Sequence, residues 1–233
     1  GWQNDNMCAG RRFSSVCADE PAAMLPRIVQ ECQRSGVSAG WIARLARYAD
    51  PDVQRCAALI YSSISGTAQA WVTSDDDDNK LNEVADVLLV LATTDSVQTR
   101  KAAKMTIVAL AKFSEEYRTA LVDHATTLKP VLLLLTKSVV DMHVDKRDDL
   151  LSEQRLAASI LRYIIGSAAC RERVMHGPLS DVVASVLRLH DDVEISTQMS
   201  FVFANISSDP ETKEKLDSEF IGALQHMMND DDS

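Results

Sequence analysis

Aromatic residues make up only 5% of this chain, and glycine and proline number 8 and 6 among 233 residues. So few ring side chains and turn formers leave little material for hairpins or for the core of a sheet sandwich. The apolar stock is 46% of the chain and is mostly Ala, Leu, Val and Ile, which suits helices packed closely through small side chains. An all-α protein is expected. Positive charge is also in short supply: 24 Lys and Arg against 34 Asp and Glu give a formal charge of −10. That balance argues against a general nucleic-acid binder, because phosphate recognition draws on grouped cations. No apolar run approaches the ~18 residues of a membrane helix; a run such as Val131–Leu135 suits a buried helix. No secretory hydrophobic segment stands near the start. The expectation is a soluble, intracellular, cytoplasmic protein in a reducing setting, with cytoskeletal association left open.

Reactive motifs are missing as well. Cys8, Cys17, Cys32, Cys56 and Cys170 are odd in number and contain no CxxC pair, so they fit neither a zinc site nor a secreted disulfide framework. Reduced thiols are the expectation, with Cys56 acting as a small apolar helix residue and Cys8 and Cys17 exposed. His124, His143, His176, His190 and His226 are scattered without metal-ligand spacing. Of these, His124 and His176 are expected to cap or line a turn. No GxSxG elbow, Walker loop or GxGxxG loop is present. Neither catalytic residues nor a cofactor or metal is expected, and the chain reads as a non-enzyme. The acidic runs Asp75–Asp78 and Asp230–Asp232 lack the alternating ligands and turn glycine of an EF-hand and read as solvated segments. Trp41 is expected in the core. The chain opens on Gly1 without Met, as a piece of a longer protein would.

What the chain does have is periodicity. DVQRCAALIYSSIS, QTRKAAKMTIVALA, SEQRLAASILRYII and EISTQMSFVFANIS, starting at residues 52, 98, 152 and 194, align without gaps. Their spacing falls within or near the range of helical repeat arrays. The sixth position is Ala57, Ala103, Ala157 or Met199; the tenth is Tyr61, Ile107, Leu161 or Phe203; the thirteenth is Ile64, Leu110, Ile164 or Ile206. Steps of four and three put these on one helical face. A mostly small residue lets a neighbouring helix approach, and two large ones fill the space beyond it.

A shorter apolar helix precedes each copy, closed by Leu45, Leu91 and Leu187 at the same offset in three of them. In the third copy the equivalent LKPVLLLL from Leu128 sits too early, and the polar stretch His143–Asp149 takes up the difference. That insertion is expected to be a surface loop. Short polar segments follow the long helices: TAQAWVTS, EEYRTALVDH, ACRERVMHG and ETKEKLDS. Three helices per unit result.

These residues resemble the armadillo repeat family over roughly residues 36–228. DVQRCAALIYSSIS and SEQRLAASILRYII, with Gln54 and Gln154 before an Ala pair, resemble its third helix. FANIS from Phe203 resembles that helix's ending, and HGPLSDVVASVL from His176 the glycine turn into a second helix. Lys104 departs from the pattern at a normally small position, and the second and third copies lack that glycine; HEAT repeats are the nearest competitor. The resemblance implies a right-handed superhelical solenoid of about four to five three-helix repeats. It forms a single domain over 19–229, with long third helices near 52–65, 98–111, 152–165 and 194–207. A flexible segment, 1–18, precedes the domain and an acidic tail, 230–233, follows it. PAAMLPRIVQECQR reads as an N-terminal capping helix.

In that family the third helices line a concave groove that holds extended partner segments. The eighth and twelfth positions resemble those where importin-α proteins carry a Trp and Asn ladder. Here they are Leu59 and Ser63, Met105 and Ala109, Ser159 and Tyr163, Phe201 and Asn205; Asn205 alone matches, so a receptor for basic import signals is not expected. The fourth position is Arg55, Lys101, Arg155 and then Thr197. It shares the face of the eighth, so three repeats place a cation in one row, which Arg100 and Arg162 widen. This resembles in character the basic groove of β-catenin. Two readings stand together: a row that selects acidic or phosphorylated peptide segments, or solvated residues paired with neighbouring Asp and Glu.

The functional expectation is an adaptor or scaffold gripping a protein or peptide partner at Arg55, Leu59, Lys101, Met105, Arg155, Tyr163, Phe201 and Asn205. Tyr163 and Phe201 are its apolar anchors. Alternatives are a chaperone cofactor that speeds nucleotide exchange and a cytoskeletal or ciliary structural repeat. Oligomeric state is not legible in the sequence.

Overall fold

The computed structural model describes residues 46–47, 50–65, 78–139, 142–186 and 192–208, with side-chain detail from 60–65 and 78–80 excepted. The described residues form α-helices and one 3-10 turn, with no strand among them. The helices are α1 (Pro51–Ser65), α2 (Asp78–Leu91), α3 (Val97–Phe113), α4 (Glu115–Asp123), α5 (Ala125–Leu132), α6 (Val144–Gly166), α7 (Ala168–Met175), α8 (Ser180–Val186) and α9 (Val193–Ser207). The 3-10 turn, Leu133–Thr136, continues α5. Contacts divide the chain into two compact units, Gly1–Tyr117 and Arg118–Ser233.

In the first unit α1 packs chiefly on α3, and α2 packs on both. Ala57, Ala103 and Ile107 are wholly buried and Leu110 nearly so, which places the small and large positions of the aligned face at the helix contact. Lys104 is buried as well, so the long residue at a usually small position stays inside. Leu91 closes α2 with no exposed surface. Ser96 starts α3 by accepting the Thr99 amide at 3.3 Å, which satisfies one of the unpaired first-turn amides.

In the second unit like elements stack on like. The α6 helix lies on α9, and α5 with its 3-10 turn lies on α8. Between α4 and α7, Thr119 meets the buried Cys170 sulfur at 3.7 Å and Arg173 pairs with Asp123. Each short, medium and long helix therefore finds its counterpart in the next repeat, as the alignment requires. Ala157, Leu161, Ile164, Met199 and Ile206 have no exposed surface, and Phe203 is also buried.

Serines make the sharp joints between repeats. Ser114 ends α3 and accepts the Tyr117 amide at 3.0 Å to open α4. Ser167 ends α6 and accepts the Cys170 amide at 3.3 Å to open α7. From α7 the chain turns through Gly177, where an added Cβ would collide with the carbonyl oxygen of Arg173; this is the glycine turn read from HGPLSDVVASVL. His176 sits in that turn as the C-cap of α7 through its backbone amide. His124 occupies the N-cap position of α5 without a side-chain capping bond.

Two expectations are corrected. The polar insertion is not a loop: residues 144–149 are the opening turns of α6, which runs 23 residues. They contain no glycine or proline, and Asp145 in the first turn complements the helix dipole. Most of these residues are exposed, so the surface placement is right and the conformation is helical. The second correction concerns thiols. Cys170 is free and buried, whereas Cys56, buried in α1, is disulfide-bonded.

Leu45, Leu187, Trp41, Asp75–Asp77, Asp230–Asp232 and PAAMLPRIVQECQR lie outside the described residues. Cys8, Cys17 and Cys32 lie outside them too.

Candidate functional site

The long helices carry every candidate partner-binding residue. On α1, Arg55 and Leu59 are half-buried. The Arg55 guanidinium lies 3.3 Å from Asp52 one turn earlier. On α3, Lys101 is half-buried and Met105 is 52% exposed, which is high for a large apolar side chain on a helix whose other face is core. Arg100 bends back to the carbonyls of Thr94 and Asp95 at 2.9 and 2.8 Å, so it serves the preceding turn.

The second unit holds the best-defined cluster. Arg155 of α6 grips Asp192 with two nitrogens: Nη2 donates to Oδ2 at 2.7 Å and Nε reaches Oδ1 at 3.2 Å. Its Nε also lies 3.3 Å from Glu194. Asp192 is at the same time the N-cap of α9, accepting the Ile195 amide at 3.1 Å. One carboxylate thus starts a helix and ties it to its neighbour. The hydrogen bond and charge of Asp192, helped by Glu194 and Asp148, raise the affinity of Arg155 for its proton. In return the Arg155 hydrogen bond holds the Asp192 carboxyl below its ordinary pKa; burial opposes that shift, and the Ile195 amide supports it.

Two turns further along α6 the environment changes. The Arg162 guanidinium stacks on Phe201 of α9, 4.0 Å from the ring centroid, and stands 5.7 Å from the Tyr163 ring. Its Nη1 donates to the Gln198 side-chain oxygen at 3.0 Å. Phe201 remains 46% exposed, and Tyr163 and Asn205 are half-buried. The Asn205 amide nitrogen donates to the Phe201 carbonyl on its own helix at 2.8 Å. Tyr163, Phe201 and Asn205 are therefore brought together with Arg162 on one patch spanning α6 and α9. Arg155 belongs to a separate ion-paired knot that joins the middle of α6 to the start of α9.

No family model matches the chain, and no curated protein matches it. Solved structures do. A computationally designed armadillo repeat protein for modular peptide recognition aligns with 96% of this chain and 86% of its own, at 16% identity and a TM-score of 0.62. A designed armadillo repeat protein in complex with the peptide (KR)4 covers 96% and 85%, at 17% identity and a TM-score of 0.59. An engineered protein covers 94% and 82%, at 20% identity and a TM-score of 0.56.

The fold is that of armadillo repeats. In armadillo terms α4, α5 and α6 are the first, second and third helices of one repeat, and α7, α8 and α9 those of the next. The aromatic and Arg162 patch then sits at the eighth, eleventh and twelfth positions of adjacent third helices.

Sequence reasoning named Tyr163, Phe201 and Asn205, and it placed Arg162 only at the margin of the cation row. Gln198, which holds Arg162, was missed; its contact links residues 36 apart in sequence, and no local pattern marks it. Among the described residues no His, Cys, Asp and Glu group could hold a metal ion, and no helix is long and apolar enough to cross a membrane.

Proposed function

We propose that this chain is a non-enzymatic protein-interaction scaffold that holds an extended segment of a protein partner against its third helices. The observation that carries the reading is the patch on α6 and α9. Phe201 keeps 46% of its surface open while Arg162 stacks on it and Tyr163 lies alongside. A large ring held rigidly and left partly exposed costs hydration free energy that a partner's apolar side chain recovers. Met105 repeats the feature at the same register of α3 in the other unit. The designed relative made for modular peptide recognition shares the fold and supports the same use of it.

In this reading Phe201 and Tyr163 are the anchors, and Leu59 and Met105 hold the same eighth repeat position on the third helices of the first unit. Asn205 has its amide nitrogen committed to its own helix and offers its oxygen to a peptide amide. Arg155 and Arg55 contribute less directly, since Asp192 with Glu194 and Asp52 already lie against them. The setting we assign is cytoplasmic, where a disulfide at Cys56 would be open to reduction.

Site-specific photo-crosslinking tests the assignment. A photoreactive phenylalanine at position 201 is expected to capture a discrete partner, and the same group at Glu172, exposed on the first helix α7, is expected not to. Equal capture from both positions sinks the proposal.

A further inference from the structure

We infer that the patch on α6 and α9 reads a carboxylate side chain of the bound segment, set beside an apolar residue, and that Arg162 is the reader. The inference rests on the scaffold reading above and narrows its partner from acidic or phosphorylated segments to singly charged acidic ones.

Arg162 differs from the two arginines of the fourth-position row. Arg55 has Asp52 within 3.3 Å, and Arg155 has Asp192 and Glu194. No Asp or Glu pairs with Arg162 among the described residues; its polar partner there is the neutral Gln198. Two rings and one hydrogen bond hold the guanidinium in place. A planar fork held in that way loses little freedom when it meets a carboxylate, and its remaining N–H donors suit two parallel bonds. Stacking on Phe201 leaves the charge uncompensated, since a ring quadrupole attracts a cation without neutralising it.

The surroundings decide between a carboxylate and a phosphate. Arg155 lies two helical turns from Arg162, about 10 Å along the axis, with Asp148, Asp192 and Glu194 all acting on its charge. Asp192 and Glu194, both within 3.3 Å of that one guanidinium, outweigh its charge and leave the region beside the patch negative. A phosphoryl group of nearly two charges would meet one open cation and that acidic surround, whereas a single carboxylate is matched by Arg162 alone. The exposed part of Phe201 lies against the same guanidinium, so the apolar contact and the charge contact fall on neighbouring residues of an extended peptide.

Selection of short random peptides displayed on phage, run against the intact chain and against Arg162→Gln, tests the inference. From the wild type, enriched peptides are expected to carry Asp or Glu next to Leu, Ile, Met or an aromatic residue. In a synthetic copy of one such peptide, Asp→Asn should weaken binding about tenfold for the wild type and less than about twofold for Arg162→Gln. Phosphoserine in place of that Asp should bind no tighter. Arg162→Lys keeps the charge and loses the fork, and is expected to recover part of the acid preference; it guards against misreading a folding defect in Arg162→Gln, with circular dichroism confirming equal helicity.

Enrichment without acidic residues, an acid preference unchanged in folded Arg162→Gln, or phosphoserine binding tenfold tighter would each overturn the inference. Peptides that ignore Phe201→Ser bind elsewhere and overturn the scaffold reading too. Peptides sensitive to Phe201→Ser yet indifferent to Arg162→Gln overturn the charge inference alone.

Discussion

Asp192 couples two stabilising devices that two substitutions separate. Asp192→Ala removes the acceptor for the Ile195 amide at the start of α9 and both bonds from Arg155. Loss of the cap costs about 1 kcal/mol. The ion pair adds less than its geometry suggests, because the Arg155 side chain is 43% exposed and Glu194 remains within 3.3 Å to receive it; solvent screening holds that part to about 0.5–1 kcal/mol. The total expected for Asp192→Ala is therefore about 2 kcal/mol. Asp192→Asn keeps a good capping oxygen and loses only the charge, so about 0.5–1 kcal/mol is expected.

The pH dependence follows from the direction of the Asp192 shift. Its folded pKa lies below the unfolded value because Arg155 and the Ile195 amide favour the ionised form. The contribution is fully present above the unfolded carboxylate pKa of about 3.9 and is lost as pH falls through the lower folded value. Wild type and Asp192→Asn should differ by a constant amount from neutral pH down to about pH 5, and should converge in stronger acid. Urea unfolding followed by circular dichroism gives the totals. Hydrogen exchange across α9 localises them, because a repeat can open without its distant neighbours. If Asp192→Asn proves as costly as Asp192→Ala, the cap is not the main contribution; if the wild-type advantage persists unchanged in strong acid, the ion pair is not its source.

Other outcomes follow from buried groups. Gln154 on α6 is almost fully buried and donates to the carbonyls of Leu134 and Lys137 at 2.8 and 2.9 Å, so Gln154→Leu should lose about 1–2 kcal/mol by urea unfolding. Gln154→Glu should lose more at neutral pH, where a carboxylate faces carbonyl oxygens, and should regain part of it on mild acidification. Gly177→Ala forces a Cβ onto the Arg173 carbonyl and should cost about 1–3 kcal/mol in the same assay; unchanged stability would mean that the turn relaxes freely. With Cys56 disulfide-bonded, the chain should migrate faster on a non-reducing gel than after reduction, and Cys56→Ser should abolish the difference.

Helices and their buried faces were legible in the sequence because helical periodicity is local. Ala157, Leu161 and Ile164 announce a face through spacing alone, and all three lie wholly in the core. The same holds for the three-helix unit and for the glycine turn at Gly177. The first turns of α6 were misread because repeat alignment treats surplus residues as a loop, while Asp145 and the absence of glycine and proline let the helix begin earlier.

What the sequence by itself determined about this protein is therefore the armadillo class, the register of each third helix and the list of side chains that face outward from it. Only the tertiary structure decided which of those side chains have their charge already answered. Arg155 meets Asp192 across 37 positions and Arg162 meets Gln198 across 36. Such pairings depend on how far one third helix is staggered along the next, and stagger is set by packing between repeats. A row of cations that looks uniform in an alignment is consequently divided in space, with Arg155 tied into an acidic knot and Arg162 laid open on an aromatic ring.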